Sequence, residues 1–117
     1  IIRILQIDMS DSAVKTIGRL TAQLITLRNM SLSVAAKIDS GKQPNIEASL
    51  VKDLGVAFEQ SIPELAHELV NCSPRKLHGT EYQKSLAYVQ QACVSFSLRG
   101  GTTEILRGMV ARGLGLR

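Results

Sequence analysis

Apolar side chains recur at alternating steps of three and four residues along most of the chain, from Ile17 to Val110. This spacing places them on one face of successive α-helices, because an α-helix completes a turn in about 3.6 residues. The clearest stripe comprises Ile17, Leu20, Leu24, Leu27, Ser31, Val34 and Ile38. The pattern predicts an all-α fold with essentially no strand.

Local signals divide the chain into four predicted helices. The first, about 25 residues long, begins after the capping residues Ser10-Asp11-Ser12 and ends at Ser40-Gly41. The others run from near Ile46, with a kink expected at Pro63, from about Thr80 to Leu98, and from Thr103 to about Arg112. The residues predicted to face inward are Leu50, Leu54, Phe58, Ile62, Leu65 and Leu69 in the second helix. In the third helix they are Leu86, Val89, Cys93 and Phe96, and in the fourth Ile105, Leu106, Met109 and Val110.

Short connections between these helices make sequential helices antiparallel neighbours. The sequence therefore predicts an up-and-down four-helix bundle that uses residues 1–117 as one domain. The apolar segment Ile1–Met9 is expected to be the end of a further helix, and Asn71–Gly79 to be the longest loop.

Composition excludes several classes of function. The net charge of +4 is spread along the chain, and only two Phe and two Tyr are present, so no basic stripe with stacking aromatics indicates nucleic-acid binding. Two Cys and two His without ligand spacing predict no metal site. No apolar run approaches the about 20 residues of a membrane span, and no signal peptide is evident, so a cytoplasmic protein is expected.

The first helix carries apolar residues beyond its main stripe, namely Ile25, Met30 and Leu32. They belong either to a broad core face or to a second seam against another subunit. Because four helices offer no further layer to cover them, we expect the chain to self-associate, as a dimer.

The C-terminal part of the chain contains two glycines followed by a helix start, Gly100-Gly101-Thr102. Thr102 can cap the helix through its hydroxyl, and Glu104 lies in the first turn, where the helix dipole favours a carboxylate. A glycine turn at a helix N-terminus is either an ordinary capped helix start or a place where an anion or a ribose binds.

The full string Gly100-Gly101-Thr102-Thr103-Glu104-Ile105-Leu106-Arg107, followed by Val110-Ala111-Arg112 and Leu114-Gly115-Leu116, closely resembles the end of the acyl-CoA dehydrogenase family. The segment Glu47–Lys52 and the long first helix, with Arg28 in its middle and Gly41 at its end, also resemble that family.

The resemblance implies the C-terminal helical bundle domain of an FAD-dependent enzyme that oxidises an acyl-CoA thioester between Cα and Cβ. The family's N-terminal helical domain and middle β domain would then be absent from these 117 residues. The family pattern implies a shared FAD site at Gly101, Thr102 and Glu104, and a homodimer or homotetramer, with a hetero-oligomer as a further possibility.

Two departures from the family pattern bear on activity. Many members carry the catalytic carboxylate at the position of Gly100, and glycine cannot act as a base. Other members carry it on an earlier helix, which is expected to lie before Ile1. Many also carry a Gly-Gly turn that contacts the flavin where this chain has Val70–Pro74. No catalytic residue is therefore predicted, and the chain alone is expected to be inactive. Alternatives are a non-catalytic subunit of a hetero-oligomeric dehydrogenase and a free-standing helical interaction module.

Overall fold

The computed structural model describes residues 10–71 and 80–116. Within these ranges the chain forms four α-helices and one 3₁₀ helix, and no strand. The helices are α1 (Asp11–Asp39), α2 (Asn45–Asn71), α3 (Glu81–Ala92), the 3₁₀ helix (Cys93–Leu98) and α4 (Thr103–Gly113). The predicted all-α fold class is confirmed. The predicted helix end at Ile1–Met9 and nearly all of the predicted loop lie outside the described residues.

Both ends of α1 follow from its sequence. At the start, the Ser10 hydroxyl oxygen accepts a hydrogen bond from the Ala13 N–H at 3.2 Å. At the other end Gly41 has a φ of 78°, and its N–H donates to the Ile38 carbonyl at 2.9 Å. The Lys42 N–H then donates to the Lys37 carbonyl at 3.0 Å, which completes a Schellman motif. The predicted boundaries are confirmed, with a helix of 29 residues.

Helix α2 is the centre of the fold, because each of the other helices packs against it. Helix α1 runs antiparallel to it. At one end of this pair Ala13 and Ile17 pack against Leu69, and at the other end Lys37 forms an ion pair with Glu47. The prediction that sequential helices are antiparallel neighbours is confirmed for α1 and α2.

The elements after α2, namely α3, the 3₁₀ helix and α4, all pack against α2. Near the middle of α2, the Gln60 side chain donates to the Cys93 carbonyl at 3.0 Å. Closer to the start of α2, α4 contacts it at Asp53, and Gly113 lies against Ile46. Helices α3 and α4 thus occupy successive parts of α2. The described chain is elongated, at 52 × 24 × 24 Å.

The α1 stripe was predicted correctly only in part. Ile17, Leu20, Leu27 and Val34 are at least half-buried, but Leu24 and Ile38 are exposed by 57% and 58%. Of the apolar residues beyond the stripe, Met30 is half-buried, as a broad core face predicts, whereas Ile25 and Leu32 are exposed. A strict seven-residue repeat drifts by about 20° per repeat on a straight helix, so one stripe cannot face the same neighbour over 29 residues.

The inward faces of the later helices also need correction. Leu50, Leu54 and Ile105 are exposed, whereas Val56, which was not among the predicted inward residues, is buried at 6% exposure. Leu106 is buried at 8% exposure, as predicted. Helix α2 has neighbours on more than one side, and its buried residues are therefore not confined to a single stripe. Pro63 lies inside α2, which continues through it.

Candidate functional site

The turn before α4 depends on glycine at its first position. Gly100 has a φ of 80°, in the left-handed region that residues with a Cβ rarely adopt. A Cβ at this position would lie 3.5 Å from Cε of Lys52, so the lysine stem of α2 passes directly over the turn. The side chain of Lys52, and no carboxylate, therefore lies next to this exposed position.

At position 101, close packing rather than backbone conformation favours glycine. A Cβ here would lie 3.2 Å from Cδ2 of Leu106, which is tighter than an ordinary van der Waals contact. Leu106 is buried at 8% exposure and occupies the space that a side chain at position 101 would need. The turn is thus folded tightly onto the first turn of α4.

The predicted capping of α4 by the Thr102 hydroxyl is wrong. Thr102 occupies the N-cap position with extended backbone, but its side chain makes no capping hydrogen bond. The carboxylate of Glu104 lies at this helix end instead. Its pKa is lowered, first by a hydrogen bond from its own backbone N–H, then by the Thr102 hydroxyl, and more weakly by the charge of Arg107.

An ionised carboxylate at a helix N-terminus is stabilised by the helix dipole. It also places a negative charge where a phosphate would otherwise bind. The arrangement of Thr102 and Glu104 is therefore suited to accept a hydrogen bond from a hydroxyl group, such as that of a ribose or a sugar-alcohol chain, rather than to hold a phosphate.

Two arginines fix the turn against α2 from either side. After the turn, Arg107 Nε donates to Asp53 Oδ2 at 3.0 Å, and the Asp53 side chain is only 15% exposed. Before the turn, Arg99 pairs with Glu59 at 2.8 Å and lies over the ring of Phe96, 4.3 Å from its centre. Sequence analysis missed Asp53 and Glu59, since no local pattern connects them to arginines 40 or more positions later.

The architecture and this turn can now be compared with known proteins. A family model described as "Acyl-CoA dehydrogenase, C-terminal domain" matches residues 9–115. The chain belongs to the acyl-CoA dehydrogenase family. The predicted family and domain are thereby confirmed, and the matched range includes all four α-helices and the glycine turn. No curated protein and no solved structure gives a significant match.

Within this acyl-CoA dehydrogenase domain, the three residues predicted to contact the flavin are near neighbours in the sequence. Gly101, Thr102 and Glu104 form one short segment at the start of α4, with Glu104 exposed and the other two half-buried. Among the described residues, no helix combines the length and the apolar character needed to cross a membrane.

Proposed function

We propose that the chain is the C-terminal domain of an FAD-dependent acyl-CoA dehydrogenase, in which it contributes to subunit assembly and to part of the flavin site. The family match supports the general kind of protein. The observation that carries the flavin proposal is the fixed turn at Gly101 and Thr102, which presents the ionised carboxylate of Glu104 at the start of α4.

Bound FAD would take up the electrons removed from the Cα–Cβ bond of an acyl-CoA substrate. Gly101, Thr102 and Glu104 would help to bind and orient the cofactor. Glu104 would accept a hydrogen bond from a hydroxyl of FAD, because its ionised carboxylate lies exposed at the start of α4. The N-terminal helical and middle β domains of the whole protein would supply the rest of the site.

We propose that the described residues supply no base to this reaction. Position 100 is glycine, and the side chain over it is that of Lys52. The purified 117-residue chain is therefore predicted to show no turnover of any acyl-CoA in the presence of FAD and an electron acceptor. The cytoplasmic location also stays a prediction from the sequence.

One observation favours the second candidate function, a non-catalytic subunit of a hetero-oligomeric dehydrogenase. At Gly100 the positive φ disfavours every residue that has a side chain. The backbone is thus adapted to glycine at the position where many family members carry the catalytic carboxylate. Turnover of acyl-CoA by the full-length protein alone would exclude this candidate.

The flavin proposal is tested on the full-length protein by FAD titration of the Glu104→Gln variant. The substitution removes the charged acceptor of the proposed hydrogen bond, so it should weaken FAD binding about tenfold. Glu81→Gln is the matched control, because Glu81 is also an exposed acidic residue in the first turn of a helix. Equal FAD affinity for Glu104→Gln and the control would overturn the proposed contact.

A further inference from the structure

The 3₁₀ helix between α3 and the glycine turn is unusually long. It contains six residues, Cys93–Leu98, and follows α3 without a break. Runs of 3₁₀ helix longer than three or four residues are uncommon, because their hydrogen bonds have poorer geometry than those of an α-helix. Specific contacts are therefore needed to keep these six residues, which we call the spacer, in the 3₁₀ form.

Alternate side chains of the spacer form hydrogen bonds with its own backbone. The Cys93 sulfur and the hydroxyls of Ser95 and Ser97 each donate to the carbonyl three residues earlier, at 3.1, 2.7 and 3.2 Å respectively. Such local bonds compete with the regular hydrogen-bond ladder of an α-helix. The composition of the spacer thus weakens its preference for the α form.

Three residues at the period of a 3₁₀ helix connect the spacer and its end to α2. The Cys93 carbonyl accepts a hydrogen bond from the Gln60 side chain at 3.0 Å. Phe96 is half-buried, and Arg99 lies over its ring and pairs with Glu59. Residues three apart lie above one another in a 3₁₀ helix, whereas in an α-helix Cys93 and Arg99 would point about 120° apart. Contacts with two neighbouring residues of α2 therefore favour the 3₁₀ form.

The length of the spacer matches the part of α2 beside it. Its first residue contacts Gln60, and Gly100, just after the spacer, lies next to Lys52. These two residues of α2 are eight positions apart, which corresponds to about 12 Å. Six residues span about 12 Å as a 3₁₀ helix but only about 9 Å as an α-helix. An α-helical spacer would therefore end about 3 Å short of Lys52.

We propose that the 3₁₀ form of the spacer sets the position of the glycine turn, and that Gln60 is the positioning residue that maintains this form. Gln60 is half-buried and donates to the first carbonyl after α3, where an α-helix would otherwise continue. Conversion to an α-helix would shift the turn by about 3 Å and rotate it by about 120°. It would thereby move Glu104 away from bound FAD, and this consequence rests on the proposed function.

The geometry of the spacer is tested without FAD, by measuring the distance between two spin labels in the full-length protein by electron paramagnetic resonance. The labels are attached at Glu68→Cys on α2 and at Leu98→Cys at the end of the spacer, both of which are exposed positions. Serine replaces the two natural cysteines of the chain, and at position 93 it keeps a hydroxyl that can donate.

The variant that tests this geometry combines Gln60→Met, Ser95→Ala and Ser97→Ala. It lacks three of the donors that support the 3₁₀ form, and alanine also has a higher helix propensity than serine. The distance between the labels should shift by about 3 Å or more, because the spacer shortens and rotates. An unchanged distance in this variant would overturn the proposal.

Titration with FAD separates positioning from stability. Gln60→Met should weaken FAD binding about fivefold, as expected for the loss of one hydrogen bond. Gln60→Lys, which again offers N–H donors, should restore FAD binding. Gln91→Met, exposed on α3, is the matched control. A residue that only stabilised the fold would lower the Tm and leave the FAD affinity of the folded protein unchanged.

The outcomes distinguish the spacer from the flavin contact. If Glu104→Gln weakens FAD binding but Gln60→Met binds FAD as tightly as Gln91→Met does, the positioning role of Gln60 is contradicted. If Glu104→Gln has no effect, the proposed flavin contact fails. The distance between the labels still tests the spacer in that case, because its measurement involves no FAD.

Discussion

Replacing a helical glycine by alanine usually stabilises a protein, but the close approach of α4 to α2 predicts the opposite effect on stability at Gly113. A Cβ at Gly113 would overlap both Cγ1 and Cδ1 of Ile46. Overpacking of this kind costs about 1–3 kcal/mol, whereas replacing a helical glycine by alanine gains about 0.5–1 kcal/mol. Gly113→Ala should therefore fail to stabilise the chain, and its net cost should lie between about 0 and 2.5 kcal/mol.

Gly108→Ala is the matched control, since it is the same substitution in the same helix. Nothing lies within 4 Å of a Cβ at position 108, so this variant should be more stable by about 0.5–1 kcal/mol. Thermal unfolding followed by circular dichroism distinguishes the two, because 1 kcal/mol corresponds to roughly 4 °C in Tm for a domain of this size.

A double-mutant cycle tests whether the destabilisation by Gly113→Ala arises from overlap with Ile46. Ile46→Ala removes both overlapping atoms and leaves Cβ of residue 46 at an ordinary 3.7 Å. In this background Gly113→Ala should no longer destabilise, which gives a coupling energy of about 1–3 kcal/mol. The reasoning is refuted if Gly113→Ala is as stable as Gly108→Ala, or if its cost is the same with and without Ile46.

Three further predictions follow from the site. Arg107→Ala should reduce the free energy of unfolding by no more than about 1 kcal/mol in urea titrations, because its pair with Asp53 involves a largely exposed arginine; a loss above 2 kcal/mol would contradict this. The folded protein lowers the pKa of Glu47, which pairs with Lys37, and the pKa of Glu104. Each carboxylate therefore stabilises the fold fully above its unfolded pKa of about 4.5, and this stabilisation is lost as the pH falls through the lowered pKa of the folded state. The Tm of the double variant Glu47→Gln, Glu104→Gln should accordingly fall less on acidification than the Tm of the unmodified chain. Gly100→Glu should cost about 1–2 kcal/mol of backbone strain in thermal unfolding, and an unchanged Tm would refute the need for glycine there.

The sequence predicts those parts of the fold that depend on local chemistry. Ser10 caps α1 and Gly41 ends it, as expected, because each acts on backbone groups within a few residues. Gly100-Gly101 separates the last two helical segments for the same reason. These signals need no knowledge of the neighbouring helices.

Burial and long-range pairing could not be predicted in the same way. Leu24 is exposed although it lies in the predicted stripe, and Met30 beside the stripe is half-buried, since burial on α1 depends on where α2 lies and not on the spacing alone. The pair of Asp53 with Arg107 joins residues 54 positions apart. At Thr102, the predicted cap failed because the carboxylate of Glu104 competes for the same helix end.

The central claim, that the start of α4 forms part of a flavin site, is tested most directly by an experimental structure of the full-length protein with FAD. The account predicts a hydroxyl of FAD within hydrogen-bonding distance of the Glu104 carboxylate, with the cofactor lying along Gly101 and Thr102. A bound FAD that makes no contact with this turn in any subunit of the assembly would contradict it.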